Sequence, residues 1–117
     1  MKRGLSGRLA IDASALIELV FSTPSGLELK EALEKDLVVA YTTELGIAEL
    51  RYIICRKRGL KESKQRVDKL LASGYIQVED ASPLLEDAAG LKCEKPISLA
   101  DCFCLALAHK NGLTALF

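Results

Sequence analysis

The chain has 117 residues, half of them hydrophobic, with three prolines, no tryptophan, and 16 acids balanced by 16 bases. That composition predicts a single ordered domain over residues 1–117 and excludes a disordered or low-complexity chain. No apolar run reaches the ~18 residues of a membrane span. The N-terminal "MKRGLSGRLAIDAS" is broken by Arg8 and Asp12, which excludes a secretory leader and predicts a cytoplasmic protein without a membrane.

"RLAID" reads as a short buried strand ending in an acid, and "SALIELVF" as a helix opening near Ser14. "TPSGLELKEALEKD" follows as a turn and a second helix, and "LVVAY", β-branched and apolar, as a second strand. "TTELGIAELRYIICRKRG" carries threonines at its start, basic residues late and a closing glycine, the start and stop signals of a helix. "LKESKQRVDKLLAS" is a further helix ending at Gly74, and "YIQVED" a third strand. "SPLLEDAAGLKCE" opens with serine and proline in the order of an N-cap and first helical position. "SLADCFCLALAHKNG" is a last helix closed by Asn-Gly, and "LTALF" a terminal strand. Strands alternating with helices predict an α/β three-layer sandwich around a mostly parallel sheet, whose ligands sit at the carboxyl ends of the strands.

Cys55, Cys93, Cys102 and Cys104 have no zinc-like spacing and read as free thiols. The charge is uneven along the chain. Arg51 to Lys69 holds eight bases against Glu62 and Asp68, and Glu79 to Asp101 holds six acids against Lys92 and Lys95. A basic stretch of this kind is either a solvated helical face or a place for a polyanion.

Three acids stand where acids are costly. Asp12 ends the first strand, either capping the next helix or serving a site there. Glu49, on a helix, shares a face with Leu45, Tyr52 and Ile53, an acid on an apolar stripe. Asp101 is the single charge between Ile97 and Ala108, and "SLAD" has the capping-box form, with Ser98 as the cap. Glu44, in a first helical turn, complements the helix dipole and needs no chemistry. Carboxylates gathered at one place raise one another's pKa, and a divalent cation with oxygen ligands removes that cost.

"AIDASALIEL", "YTTELGIAELRYIICRKRG" and "SLADCFCLALAHKNGLTALF" together resemble the PIN domain, and within it the VapBC-type toxin ribonucleases, over nearly the whole chain. The resemblance implies a PIN-like fold and a metal-dependent endoribonuclease that cuts RNA with Mg²⁺ or Mn²⁺. It carries catalytic and metal-binding roles to Asp12, Glu49 and Asp101, and supporting roles to Ser14 and Ser98. Arg51, Arg56, Lys57 and Arg58 become candidates for contact with the RNA backbone. It further implies an antitoxin partner and a homodimer, for which "LIELVF" offers an apolar surface or simply ordinary core.

There is one departure. Where many members carry an acid in a stretch like T-x-D, this chain reads Thr114-Ala115-Leu116 and stops at Phe117: either a fourth acid lies beyond a truncated end, with a last strand missing, or the site has three acids. That leaves a non-catalytic alternative, a PIN-like module that binds RNA or a protein without cutting. A haloacid-dehalogenase-like phosphatase needs an acid two after Asp12, where Ser14 stands. A response-regulator receiver needs an acid at the end of its middle strand, and Asp80 is out of register for it.

Overall fold

The computed structural model describes residues 5–117. Four strands, β1 (Gly7–Ile11), β2 (Val38–Thr43), β3 (Ile76–Glu79) and β4 (Thr114–Leu116), form one sheet in the order β3-β2-β1-β4. Every pairing is parallel, with Leu9 beside Ala40 in one ladder and beside Thr114 in the other. The helices are α1 (Ala13–Val20), α2 (Pro24–Glu34), α3 (Glu44–Arg58), α4 (Leu60–Ser73), α5 (Leu85–Glu94) and α6 (Leu99–Asn111). "LTALF" does supply a strand, β4, pairing the outer side of β1.

Alternation along β1 sets the layers, because successive side chains leave opposite faces of a strand. Leu9 and Ile11 enter a core shared with Leu16 and Leu19 of α1, Leu29 and Leu33 of α2, Leu50 and Ile54 of α3, and Val67 of α4. Ala10 points the other way, into a second core of Leu84, Ala88, Cys102, Phe103, Ala106 and Leu107 under α5 and α6. The result is an α/β sandwich of three layers. Leu16 and Leu19 of "LIELVF" are core rather than an open surface.

Each helix begins and ends where its side chains dictate. Asp12, Thr23, Thr43 and Ser98 cap α1, α2, α3 and α6, each accepting a hydrogen bond from an amide in the first turn. α6 is buried nearly all round, and its small Cys102, Cys104 and Ala106 let it sit against the sheet, where Cys104 Sγ donates to the Ala10 carbonyl at 3.5 Å. Gly59, with φ +90, joins α3 to α4 in a conformation that favours glycine.

One cap differs from the sequence reading. Ser82 does not cap α5; a 3-10 turn over Ser82–Leu84 precedes that helix. Asp80 wins the local competition, its Oδ1 accepting from the Ser82 amide at 3.0 Å. No helix among the described residues is long and apolar enough to cross a membrane.

α1 and α2 meet with almost no space between them. A Cβ built on Gly26 would lie 1.8 Å from the carbonyl oxygen of Glu18, a backbone atom that cannot swing aside. Gly26→Ala is therefore expected to lose about 3 kcal/mol in urea unfolding, at the upper end of overpacking costs. A loss below about 1 kcal/mol would show that the two helices part easily.

Candidate active site

Because the strands are parallel, their carboxyl ends share one edge of the sheet, and the helices that follow start there. β1 delivers Asp12 to that edge, β2 delivers α3 with Glu49 in its second turn, and the crossover from β3 delivers the first turn of α6 with Asp101. Three segments far apart in sequence thus bring three acids to one region.

Asp12 is the most constrained. It is 7% exposed, and its backbone amide donates to the Leu116 carbonyl at 3.2 Å, tying β1 to the end of β4. Its Oδ1 accepts from the Ala15 amide at 3.1 Å, and Ser14 Oγ donates to both carboxylate oxygens at 2.8 and 2.9 Å. Capping and siting in the acidic region are both true of this residue. Of the about four acceptor positions of a carboxylate, these contacts leave one, on Oδ2.

Asp101 sits in the first turn of α6, where its amide donates to Ser98 Oγ at 3.1 Å. The capping box of "SLAD" is only half made, because no return bond from the Ser98 amide to the acid forms. The Asp101 carboxylate instead lies close enough to Asp12 and Glu49 for its charge to act on both. Burial raises the pKa of Asp12, the Ala15 amide and the Ser14 hydroxyl oppose the rise, and the charge of Asp101 adds to it. Glu49, half-buried, is raised by burial, then by Asp101, then by Asp12. Beneath them, burial followed by the charges of Asp12 and Asp101 pushes the Cys104 thiol to about 12, so this cysteine is an inert packing residue.

Glu49 reaches this place by a different route from the expected one. The buried stripe of α3 is Ile47, Leu50 and Ile54, while Leu45 and Tyr52, its neighbours one helical turn away, are exposed. Glu49 therefore flanks the buried stripe rather than lying on it. Glu44 does take a structural part, its Oε1 accepting from the Ala81 amide at 2.6 Å. The place of the expected fourth acid is held by Leu116, half-buried against the core of α1–α4.

The donor set is two aspartates and a glutamate, hard oxygen ligands of the kind Mg²⁺ and Mn²⁺ take. Among the described residues, no three such side chains stand close enough together to enclose an ion by themselves. Beside Asp12 opens a cavity of about 300 Å³ bounded by Ser14, Glu18, Glu28 and Leu116.

Of the four basic residues expected at an RNA surface, Arg51 stands on α3 two residues after Glu49. Arg56, Lys57 and Arg58 follow Glu49 by seven to nine residues on α3, about 10–14 Å along its axis. Arg51 bonds Asp68 at 3.0 Å, Arg58 lies 3.7 Å from Glu62 and over the Phe21 ring, and Arg56 lies over Tyr52. Lys57 is exposed.

The sequence matches the family model described as the PIN domain over residues 9–117. In fold, the chain is similar to Mycobacterium tuberculosis VapC20, described as a sarcin-ricin loop cleaving toxin. The two are 18% identical, with a TM-score of 0.72 over 92% of this chain and 85% of that one. VapBC2 from Rickettsia felis, solved bound to a DNA fragment from its promoter, is 13% identical, with a TM-score of 0.72 over 95% of this chain and 87% of that one. A toxin–antitoxin complex from Klebsiella pneumoniae is 20% identical, with a TM-score of 0.64 over 95% of this chain and 85% of that one. No curated protein matches the sequence.

The electrostatics give a signed pH dependence. A carboxyl whose pKa is raised on folding contributes stability below its ordinary range, and that contribution is lost as pH rises through the raised folded value. Asp12 and Glu49 therefore weaken the fold as pH climbs from the ordinary carboxylate range through their folded values. Asp68, lowered by Lys64 and Arg51, and Glu31, lowered by Lys35, act the opposite way and below the ordinary range. Asp101→Asn is expected to lower the midpoints of both Asp12 and Glu49 in a carboxyl-carbon NMR titration. Unmoved midpoints would mean that the three acids do not share a field.

Proposed function

The chain belongs to the PIN domain family, and from that premise we propose that it is a divalent-metal-dependent endoribonuclease, the toxin of a toxin–antitoxin pair. The observation that carries the reading is the convergence of Asp12, Glu49 and Asp101 at the carboxyl edge of the sheet, where the charge of Asp101 reaches both of the others. Acids from three elements, crowded at the carboxyl edge of a parallel sheet, make little sense for stability alone. They suit a site that receives positive charge and then a phosphodiester.

Asp12, Asp101 and Glu49 would hold Mg²⁺ or Mn²⁺, with bound waters completing the shell. Held there, such an ion would supply Lewis acidity for the attacking water and a counter-charge for the phosphate. The chain's own residues do the positioning. Ser14, held to both oxygens of Asp12, fixes that carboxylate's plane, and Ala15 anchors it from the backbone. Ser98 fixes the first turn of α6 and so the origin of the Asp101 side chain. Glu49 enters from α3, whose start is secured by Thr43 Oγ1 accepting from Gly46 at 3.3 Å.

An antitoxin and a second copy of the chain are the partners we propose with this activity. The Rickettsia and Klebsiella structures are a VapBC pair and a toxin–antitoxin complex, which supports the first. Cytoplasmic location belongs to the same reading.

Leu116, half-buried where the family often has an acid, favours a second reading in which the domain binds RNA or protein without cutting. Cleavage separates the two. With Mn²⁺ or Mg²⁺, the protein is expected to cut a mixed single-stranded RNA, and chelator is expected to abolish the cutting. Asp12→Asn or Asp101→Asn should lower the rate on the order of 100-fold or more, and Ser14→Ala roughly 10-fold, as for a residue that orients a ligand. A folded protein that leaves RNA intact with either metal would leave the binding module.

A further inference from the structure

Outside the acids, the feature with the most chemistry is a cavity of about 190 Å³ between the end of α1, α2 and α4. Lys30 of α2 and Arg66 and Lys69 of α4 line it, with Ser22, Ser73 and Tyr75, and no carboxylate is among its walls. Its volume equals roughly six waters at about 30 Å³ each, room for a small anion with part of its hydration.

Arg66 is already fixed in place. Its Nε donates to Glu62 Oε2 at 2.8 Å, and its guanidinium lies 4.8 Å from the centre of the Phe21 ring. Tyr75 is likewise tethered, its hydroxyl donating to Glu34 Oε2 at 2.9 Å. Neither Lys30 nor Lys69 forms an ion pair with a carboxylate among the described residues. With Arg66 balanced by Glu62, the two lysines that line the hollow leave it a net positive charge, which an anion entering it would meet. A preset arginine, two mobile ammonium groups and nearby hydroxyls are the donors a phosphate takes.

We propose that this cavity binds a phosphate group. Its source, a step that depends on the ribonuclease reading, is the backbone of an RNA whose scissile bond lies at the acids. α1 rises about 12 Å along its axis from Asp12 toward the amino edge of the sheet, where the cavity lies, so an RNA that reaches both runs along the outside of α1. The paired arginines Arg51 and Arg58 contribute less to RNA contact than Lys30 and Lys69.

The test uses the Lys30→Gln/Lys69→Gln double variant and, as a charge-matched control, Lys61→Gln/Lys95→Gln, two exposed lysines outside the residues assigned to RNA contact. Binding of a labelled single-stranded oligoribonucleotide is followed by anisotropy in chelator at several salt concentrations. Inorganic phosphate is titrated separately while the amides of Ser22, Ser73 and Tyr75 are watched by NMR. The double variant is expected to weaken RNA binding about tenfold and to flatten the salt slope by about 1, with the control changing less than about twofold. Phosphate is expected to shift those amides in the wild type and not in the double variant. Phosphate shifts without RNA binding would keep the site and remove RNA as its source, counting against the ribonuclease reading. Unmoved amides, together with equal RNA affinity in both variants, would overturn the site.

Discussion

A carboxylate buried at the end of the central strand is the constraint around which this molecule is arranged. Burying an ionised Asp12 costs several kcal/mol unless partners replace its water. The Ala15 amide and the Ser14 hydroxyl replace part of it. Asp101 then undoes some of the gain by adding negative charge beside Asp12, and Glu49, itself desolvated, meets the charges of both. A fold that needed only a helix cap at this position would have no reason to bring the other two acids near it. Asp101 beside Asp12 and Glu49 is a like-charge contact that works against the fold, and the proposed activity would put that same charge to use.

The rest of the architecture serves this arrangement. Parallel strands place their ends on one edge, so a residue after β1, one early in α3 and one early in α6 become neighbours without any unusual backbone. The second core is built thin. Ala10 on the strand and Cys104 on the helix bring α6 onto the sheet, which brings Asp101 within electrostatic reach of Asp12. A larger residue at either position would push the acid outward. Leu116 contributes its carbonyl to the Asp12 amide, so the outer strand secures the central one although its side chain offers no ligand.

Much of this was legible in the sequence, and the reasons differ by feature. Strands and helices followed from apolar runs, caps and glycines, all of them local signals. Asp12, Ser98 and Asp101 were legible because a charge in a buried run conflicts with its surroundings. Local reasoning failed at Ser82, where Asp80 two residues earlier offered the backbone a competing turn. It misjudged the face of Glu49 because Leu45 and Tyr52 look like core residues but stand exposed on α3. The basic stretch showed the limit most clearly. Sequence counts its charges, but whether Arg51 meets Asp68, or Arg66 meets Phe21 and a cavity shared with Lys30, is decided by helix packing. Lys30 carried no signal of its own, being a lysine on an amphipathic helix.

The central claim is that Asp12, Glu49 and Asp101 form a cation site, and calorimetric titration of the metal-free protein with Mn²⁺ tests it most directly. The account predicts saturable binding in the sub-millimolar to millimolar range, weakened at least about tenfold in Asp101→Asn while that variant stays folded. A folded wild-type protein that takes up no Mn²⁺, or an Asp101→Asn variant that binds it equally well, would contradict the account and leave the three acids as structure alone.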